Sequence, residues 1–122
     1  MEKATLILEG GATRGVFTSG VLDYLMEKDL YMSHVIGVSA GSCNGGDYVS
    51  KQIGRTKDCM IYRDGEFDYY FGVRKFMKEK TIINMDLIFD KFPNEIYPFD
   101  YDTYFDSEIK AEWTVTNCET GK

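Results

Sequence analysis

Apolar runs closed by glycine set the rhythm of the amino-terminal half. Thr5-Leu6-Ile7-Leu8 is a short apolar run that stops at Glu9-Gly10-Gly11, which predicts a buried strand closed by a tight turn. After the turn, Val16, Phe17, Val21, Leu22, Leu25 and Met26 recur at three- and four-residue spacing, with Asp23, Glu27 and Lys28 on other faces. The spacing predicts an amphipathic helix from about residue 14 to about residue 29. His34-Val35-Ile36-Gly37-Val38 predicts a second strand, and the segment from Ala40 to Ile53 is helical in pattern despite Gly45 and Gly46. Strand, helix, strand, helix favours parallel strands joined by right-handed crossovers, hence an α/β fold with helices covering the sheet.

The pattern weakens from Gly54 to Lys110. Gly54-Arg55 is expected to end the second helix, Asp64-Gly65 to form a turn, and Asn84 to Phe92 to form a short helix before Pro93. Residues 98 to 105, PFDYDTYF, are aromatic and acidic without a period. Glu112-Trp113-Thr114-Val115-Thr116 then predicts a third strand rich in β-formers. The closing NCETGK reads as a turn, and a strand followed by an Asn/Gly turn ordinarily introduces a partner strand. The 122 residues are therefore expected to be the amino-terminal part of one longer domain.

Composition narrows the function classes. With 43% hydrophobic and 15% aromatic residues the chain can bury a core. A net charge of −6 and the absence of a Lys/Arg cluster exclude a basic face for nucleic acid; Lys75, Lys78 and Lys80 are interleaved with Phe76, Met77 and Glu79. No apolar run approaches the roughly 18 residues of a bilayer-spanning helix, and MEKATLILEGG lacks the long apolar core of a signal peptide. These features predict a soluble, cytoplasmic protein. Cys43, Cys59 and Cys118 are odd in number and lack CxxC spacing, which predicts reduced, buried structural thiols.

Two glycine-rich junctions carry the candidate chemistry. Gly37-Val38-Ser39-Ala40-Gly41 matches G-x-S-x-G, the pattern of a sharp strand-to-helix turn that exposes a nucleophilic serine at the carboxyl edge of a sheet. The flanking residues must be small because bulk would strike the neighbouring strand and helix. The alternative is a glycine-rich turn with a passive serine. Gly10-Gly11-Ala12-Thr13-Arg14-Gly15 follows the first strand and opens the first helix, where successive amides and the helix N-terminus suit an anion. One candidate anion is a nucleotide pyrophosphate, although Ala12 replaces the middle glycine of G-x-G-x-x-G and no clear acidic ribose partner follows the second strand. The other is the oxyanion of a tetrahedral intermediate. In a parallel sheet both junctions lie at the same edge, so the serine and the amides would face one crevice.

The only histidine, His34, opens the strand that Ser39 closes. Five residues of strand separate the two by about 16 Å, so His34 cannot take the serine proton. If Ser39 is catalytic, its base is another group, with a carboxylate the first choice.

These residues carry a family resemblance. EGGATRG, a helix, and then GVSAG resemble the start of the patatin-like phospholipases, especially the bacterial members. The resemblance implies a three-layer α/β/α fold with a mainly parallel central sheet, of which this chain holds an incomplete domain. It also implies lipid acyl hydrolysis by a Ser-Asp dyad without histidine. Ser39 maps onto the nucleophile; the backbone at Gly10, Gly11 and Ala12 maps onto the oxyanion loop, aided by Ala40, with Arg14, Gly15, Gly37 and Gly41 completing the motifs. Ala12 departs from the family's usual glycine and is tolerable only where the backbone avoids a glycine-only conformation. IYPFDYDTYF and EWTVTNCETGK are similar to the family's connection into a central strand. Implied partners are a phospholipid or other lipid ester and transient contact with a membrane surface, without nucleic acid; no cofactor or metal is implied.

The family's aspartate sits in a D-G-G or D-G-A motif that these residues lack. Asp64-Gly65-Glu66 reads as a plain surface turn. Asp100, Asp102 and Asp106 invite a calcium reading, but an EF-hand loop would need glycine at Phe105 and glutamate at Ala111. The expectation is a chain with nucleophile and oxyanion loop but with its base elsewhere, inactive alone. The rivals are a nucleotide- or phosphate-binding α/β module and a catalytically inert fragment.

Overall fold

The computed structural model describes residues 1–61 and 72–122; the predicted turn at Asp64-Gly65 lies outside the described residues. The chain divides into two compact units, Met1–Met60 with Asp100–Lys122, and Ile61–Phe99.

The first unit is a three-stranded parallel sheet with helices, an α/β arrangement as expected. Its strands β1 (Glu2–Leu8), β2 (Met32–Val38) and β3 (Lys110–Thr114) lie in the order β1-β2-β3. Leu8 pairs with Gly37, and Gly37 with Trp113, so all three strands reach the same carboxyl edge together. Alternation along the strands sends Leu6, Leu8, Val35, Ala111 and Trp113 to one face, where they meet Leu22 and Met26 of α1 (Gly15–Glu27) and Tyr48 and Val49 of α2 (Ala40–Val49). Trp113 donates from Nε1 to Tyr104 Oη at 2.9 Å, and its ring leaves no room for a side chain at Gly45. On the other face a polar row crosses the strands: Thr5 Oγ1 lies 3.1 Å from His34 Nδ1, His34 Nε2 lies 2.9 Å from Glu112 Oε1, and Lys110 Nζ is 2.6 Å from that oxygen.

The helix ends explain where the sequence reading and the fold differ. α2 stops at Val49 rather than running to Ile53, because Lys51 turns left-handed at φ 59°. Lys51 N then bonds Tyr48 O and Gln52 N bonds Asp47 O, the paired closure that usually uses glycine. α1 ends in the same way at Asp29, φ 52°, with Asp29 N bonded to Met26 O and Leu30 N to Leu25 O. α3 (Arg55–Met60) follows as a separate short helix, anchored by Asp47. The aperiodic aromatic segment contains a further helix, α5 (Tyr101–Asp106). Asp100 caps it, Oδ1 accepting from Thr103 N at 2.9 Å and Oδ2 from Thr103 Oγ1 at 2.6 Å. Both carboxylate oxygens of Asp100 are thus engaged in local structure. β3 begins two residues before the predicted strand and leaves Val115 and Thr116 outside it.

The second unit holds α4 (Val73–Glu79) and a wide π-type helix, Leu87–Ile96, which continues through Pro93 rather than stopping before it. Proline lacks the N–H that an α-helix would use, and the wider winding closes instead through Tyr97 N to Phe92 O at 2.8 Å. Leu87 and Phe92 are buried, and the Phe92 and Tyr97 rings pack with centroids 5.3 Å apart. Among the described residues, no helix is long and apolar enough to cross a membrane.

The thiols are free, as composition suggests, but less buried than expected. Cys43 and Cys118 are exposed and Cys59 is half-buried. Cys43 falls on the outward side of α2, and Cys118 lies in the polar turn after β3, where there is no core to enter.

Candidate active site

Two neighbouring strands end side by side, and the chain leaves them by different routes. After β2 the helix α2 begins at once, so Ser39 alone makes the turn. Its backbone is held at φ 54°, ψ −124°. A side-chain-bearing residue in such a conformation costs about 1–3 kcal/mol and persists only where the surroundings impose it. The imposition is visible at two glycines. A Cβ on Gly37 would come within 2.8 Å of Gly41 O and of the Ser42 backbone, and one on Gly41 would overlap the Leu8 carbonyl at the end of β1. Helix and strands are therefore closer here than any larger residue allows. Ser39 is exposed, and its hydroxyl makes no capping bond to α2. Ser42 N bonds the Ser39 carbonyl at 2.9 Å, which starts the helix without using the side chain.

After β1 the chain takes the longer route from Glu9 to Arg14, ending in a 3-10 turn over Ala12–Arg14 closed by Arg14 N to Gly11 O at 3.0 Å. This loop lies against the serine. A Cβ on Gly10 would sit 3.1 Å from Ser39 Cβ and 3.8 Å from Ser39 Oγ. Ala12 has φ 48°, on the left-handed side that favours glycine. Alanine occupies that region at a cost of about 1–2 kcal/mol, so the methyl is accommodated with strain. Gly11 and Arg14 are exposed, and Ala40 is half-exposed at the first position of α2, where a helix leaves its amides without intrahelical partners.

The structure brings Ser39, Gly10 and the start of α2 together and keeps His34 apart. His34 points into the polar row of the sheet, between Thr5 and Glu112. Among the described residues, no imidazole or carboxylate is hydrogen-bonded to the Ser39 hydroxyl.

Two buried polar residues of α2 escaped the sequence reading. Asn44 is 2% exposed and donates from Nδ2 to Gly15 O at 2.9 Å, joining the start of α1 to α2. Asp47 accepts from Arg55 Nη1 at 2.9 Å and Thr56 Oγ1 at 2.6 Å, holding α3. Burial pushes the Asp47 carboxyl above its ordinary range, with Arg55 and Thr56 pulling the other way. The available signal was four-residue spacing: Asn44 follows Ala40 by one helical turn and so shares its face.

Comparison with known proteins places these junctions in a family. The chain is 31% identical over 106 residues to YjjU of Escherichia coli (strain K12), described as an uncharacterized protein; the match covers 83% of this chain and 28% of that protein. The chain thus spans little more than a quarter of that relative's length. No solved structure matches it. The family model for patatin-like phospholipase matches residues 6–114, from β1 through β3 and across both junctions, and the chain belongs to the patatin-like phospholipase family.

Proposed function

We propose that the protein is a serine-dependent lipid acyl hydrolase of the phospholipase or lysophospholipase type. Ser39 is the nucleophile. Its Oγ attacks the carboxyl carbon of a lipid ester while its proton passes to an aspartate outside these 122 residues, completing a Ser-Asp dyad. The amides of Gly10, Gly11 and Ala12, with that of Ala40, receive the negative charge that develops on the carbonyl oxygen. Collapse breaks the ester C–O bond, the alcohol leaves with the proton, and an acyl-serine remains. Water activated by the same aspartate then releases the fatty acid and restores Ser39. Arg14, exposed at the end of the loop, fixes the loop or meets a lipid phosphate in this reading.

The observation that carries this reading is the Ser39 backbone. A serine kept at φ 54° with its hydroxyl outside any cap is strained for presentation, not for stability. A phosphate-binding module has no use for that strain, since its ligand is held by amides. The residues are read as the amino-terminal part of a single domain that acts at a membrane surface from the cytoplasm.

Labelling the complete coding product with a fluorophosphonate probe tests the reading. The expected result is one adduct, at Ser39, lost in Ser39→Ala together with ester hydrolysis. Nucleotide binding without labelling would favour the phosphate-binding module. Equal, Ser39-dependent activity of residues 1–122 and the complete product would overturn the placement of the base outside the chain.

A further inference from the structure

The oxyanion loop and the nucleophile belong to different elements, so their spacing must be set by something that joins those elements. At one end of the loop, Gly10 lies near enough to Ser39 that an added Cβ would come 3.1 Å from the Ser39 Cβ; at the other, the Gly15 carbonyl accepts the Asn44 Nδ2 hydrogen bond at 2.9 Å. Ala40 and Asn44 occupy one face of α2, and a Cβ on Gly15 would lie 3.2 Å from both Ala40 Cβ and Asn44 Nδ2. The loop is thus held at two points, with the strained Ala12 between them.

Asn44 is a poor choice for stability alone. Asparagine is a weak helix former, and this one is 2% exposed with Oδ1 lacking any partner among the described residues. A buried acceptor left unpaired is costly, and an apolar side chain at the same place would carry no such penalty. What the asparagine provides, and an apolar residue cannot, is a side-chain donor from α2 to Gly15 O.

We infer that Asn44 is a positioning residue, which sets the separation between the Gly11 and Ala12 amides on one side and Ser39 with the Ala40 amide on the other. The inference rests on the hydrolase reading above. A displacement of about 1 Å between such groups can cost on the order of 100-fold in rate without changing how substrate binds.

The test uses the complete coding product with a soluble aryl ester. Asn44→Asp keeps the side-chain shape and removes the donor; Gly15→Ala keeps Asn44 and pushes the same contact apart. Both are expected to lower kcat by about 10- to 100-fold with KM moved less than about threefold. Affinity for a trifluoromethyl ketone, which forms a charged adduct with serine, should fall in parallel with kcat, while affinity for an unreactive ether analogue of the substrate stays the same. A purely structural bond would not split the two ligands in this way. Full kcat in Asn44→Asp overturns the inference, as does a parallel loss of kcat, both affinities and melting temperature in the two variants. Failure of both variants to fold also overturns it, since the contact is then one of stability. Ser39→Ala run alongside separates the two readings. Turnover that survives Ser39→Ala overturns the hydrolase reading and this one together, whereas Ser39-dependent turnover unaffected by Asn44→Asp overturns this one alone.

Discussion

The two strand-to-helix junctions at the carboxyl edge of the sheet solve opposite problems. The junction after β1 uses the six residues from Glu9 to Arg14 and offers backbone; the one after β2 uses Ser39 alone and offers a side chain. A long junction can relax, so its strain is confined to Ala12 at φ 48°. A one-residue junction cannot, so Ser39 takes φ 54° and its neighbours Gly37 and Gly41 must lack side chains. Chain length between elements decides here whether the junction presents backbone amides or a side chain.

Six substitutions can break or sharpen this contrast. The largest effect is on chemistry at the short junction. Ser39→Ala should lower ester hydrolysis by the complete protein by about 10,000-fold or more, measured as kcat/KM at saturating and limiting ester. Next comes the far end of the same helix, where Arg55 neutralises the buried Asp47. Arg55→Met should cost about 3 to 5 kcal/mol at neutral pH by urea denaturation. The pH dependence has a defined sign. Because burial raises the folded pKa of Asp47 above its unfolded value near 3.8, the group favours the fold fully at lower pH, and its contribution is lost as pH rises through the folded value. The penalty of Arg55→Met should therefore shrink as pH falls through the raised folded value of Asp47, before pH 3.8 is reached. A penalty independent of pH would show that Arg55 acts by packing alone.

Gly41→Ala forces a methyl into the Leu8 carbonyl and should destabilise by about 3 kcal/mol, whereas Gly11→Ala, whose Cβ would meet only Arg14 Cβ at 3.6 Å, should cost less. Equal losses would mean that the two junctions are packed alike. The smallest effect comes from relieving strain. Ala12→Gly and Ser39→Gly should each raise the unfolding free energy, by about 1 kcal/mol. A loss of stability in Ser39→Gly would remove the evidence that the fold holds this residue against its preference.

The candidate site's two junctions were legible in the sequence to the extent that they depend on local pattern. Apolar runs at Leu6 to Leu8 and Val35 to Val38, followed by glycines, located both junctions, because strand burial and tight turns each constrain residue type within a few positions. The helix ends were less legible, since Lys51 and Asp29 fill left-handed positions that are usually read from glycine. The cap at Asp100 was hidden among acidic neighbours, and the π-type helix passes a proline that ordinarily ends a helix. Asn44 and Asp47 were harder to read for a different reason, since four-residue spacing from Ala40 gives the face of Asn44 but not its burial. Their partners, Gly15 and Arg55 with Thr56, are chosen by tertiary packing, and nothing in the local sequence marks a polar helix residue as buried.

Trp113 turns the order of the strands into something observable. It is the only tryptophan in the chain, and it lies on β3, which pairs with β2 across a sequence gap that includes the whole second unit. β1 and β2 are joined by α1 alone, so their pairing closes a far shorter loop. Loop-closure entropy grows with the length enclosed, and distant pairings form late. In refolding, helical circular dichroism from α1 and α2 should therefore recover before the indole emission shifts to that of the packed side chain against Gly45. Simultaneous recovery of the two signals would mean that the β2–β3 closure, long as it is, belongs to the folding nucleus.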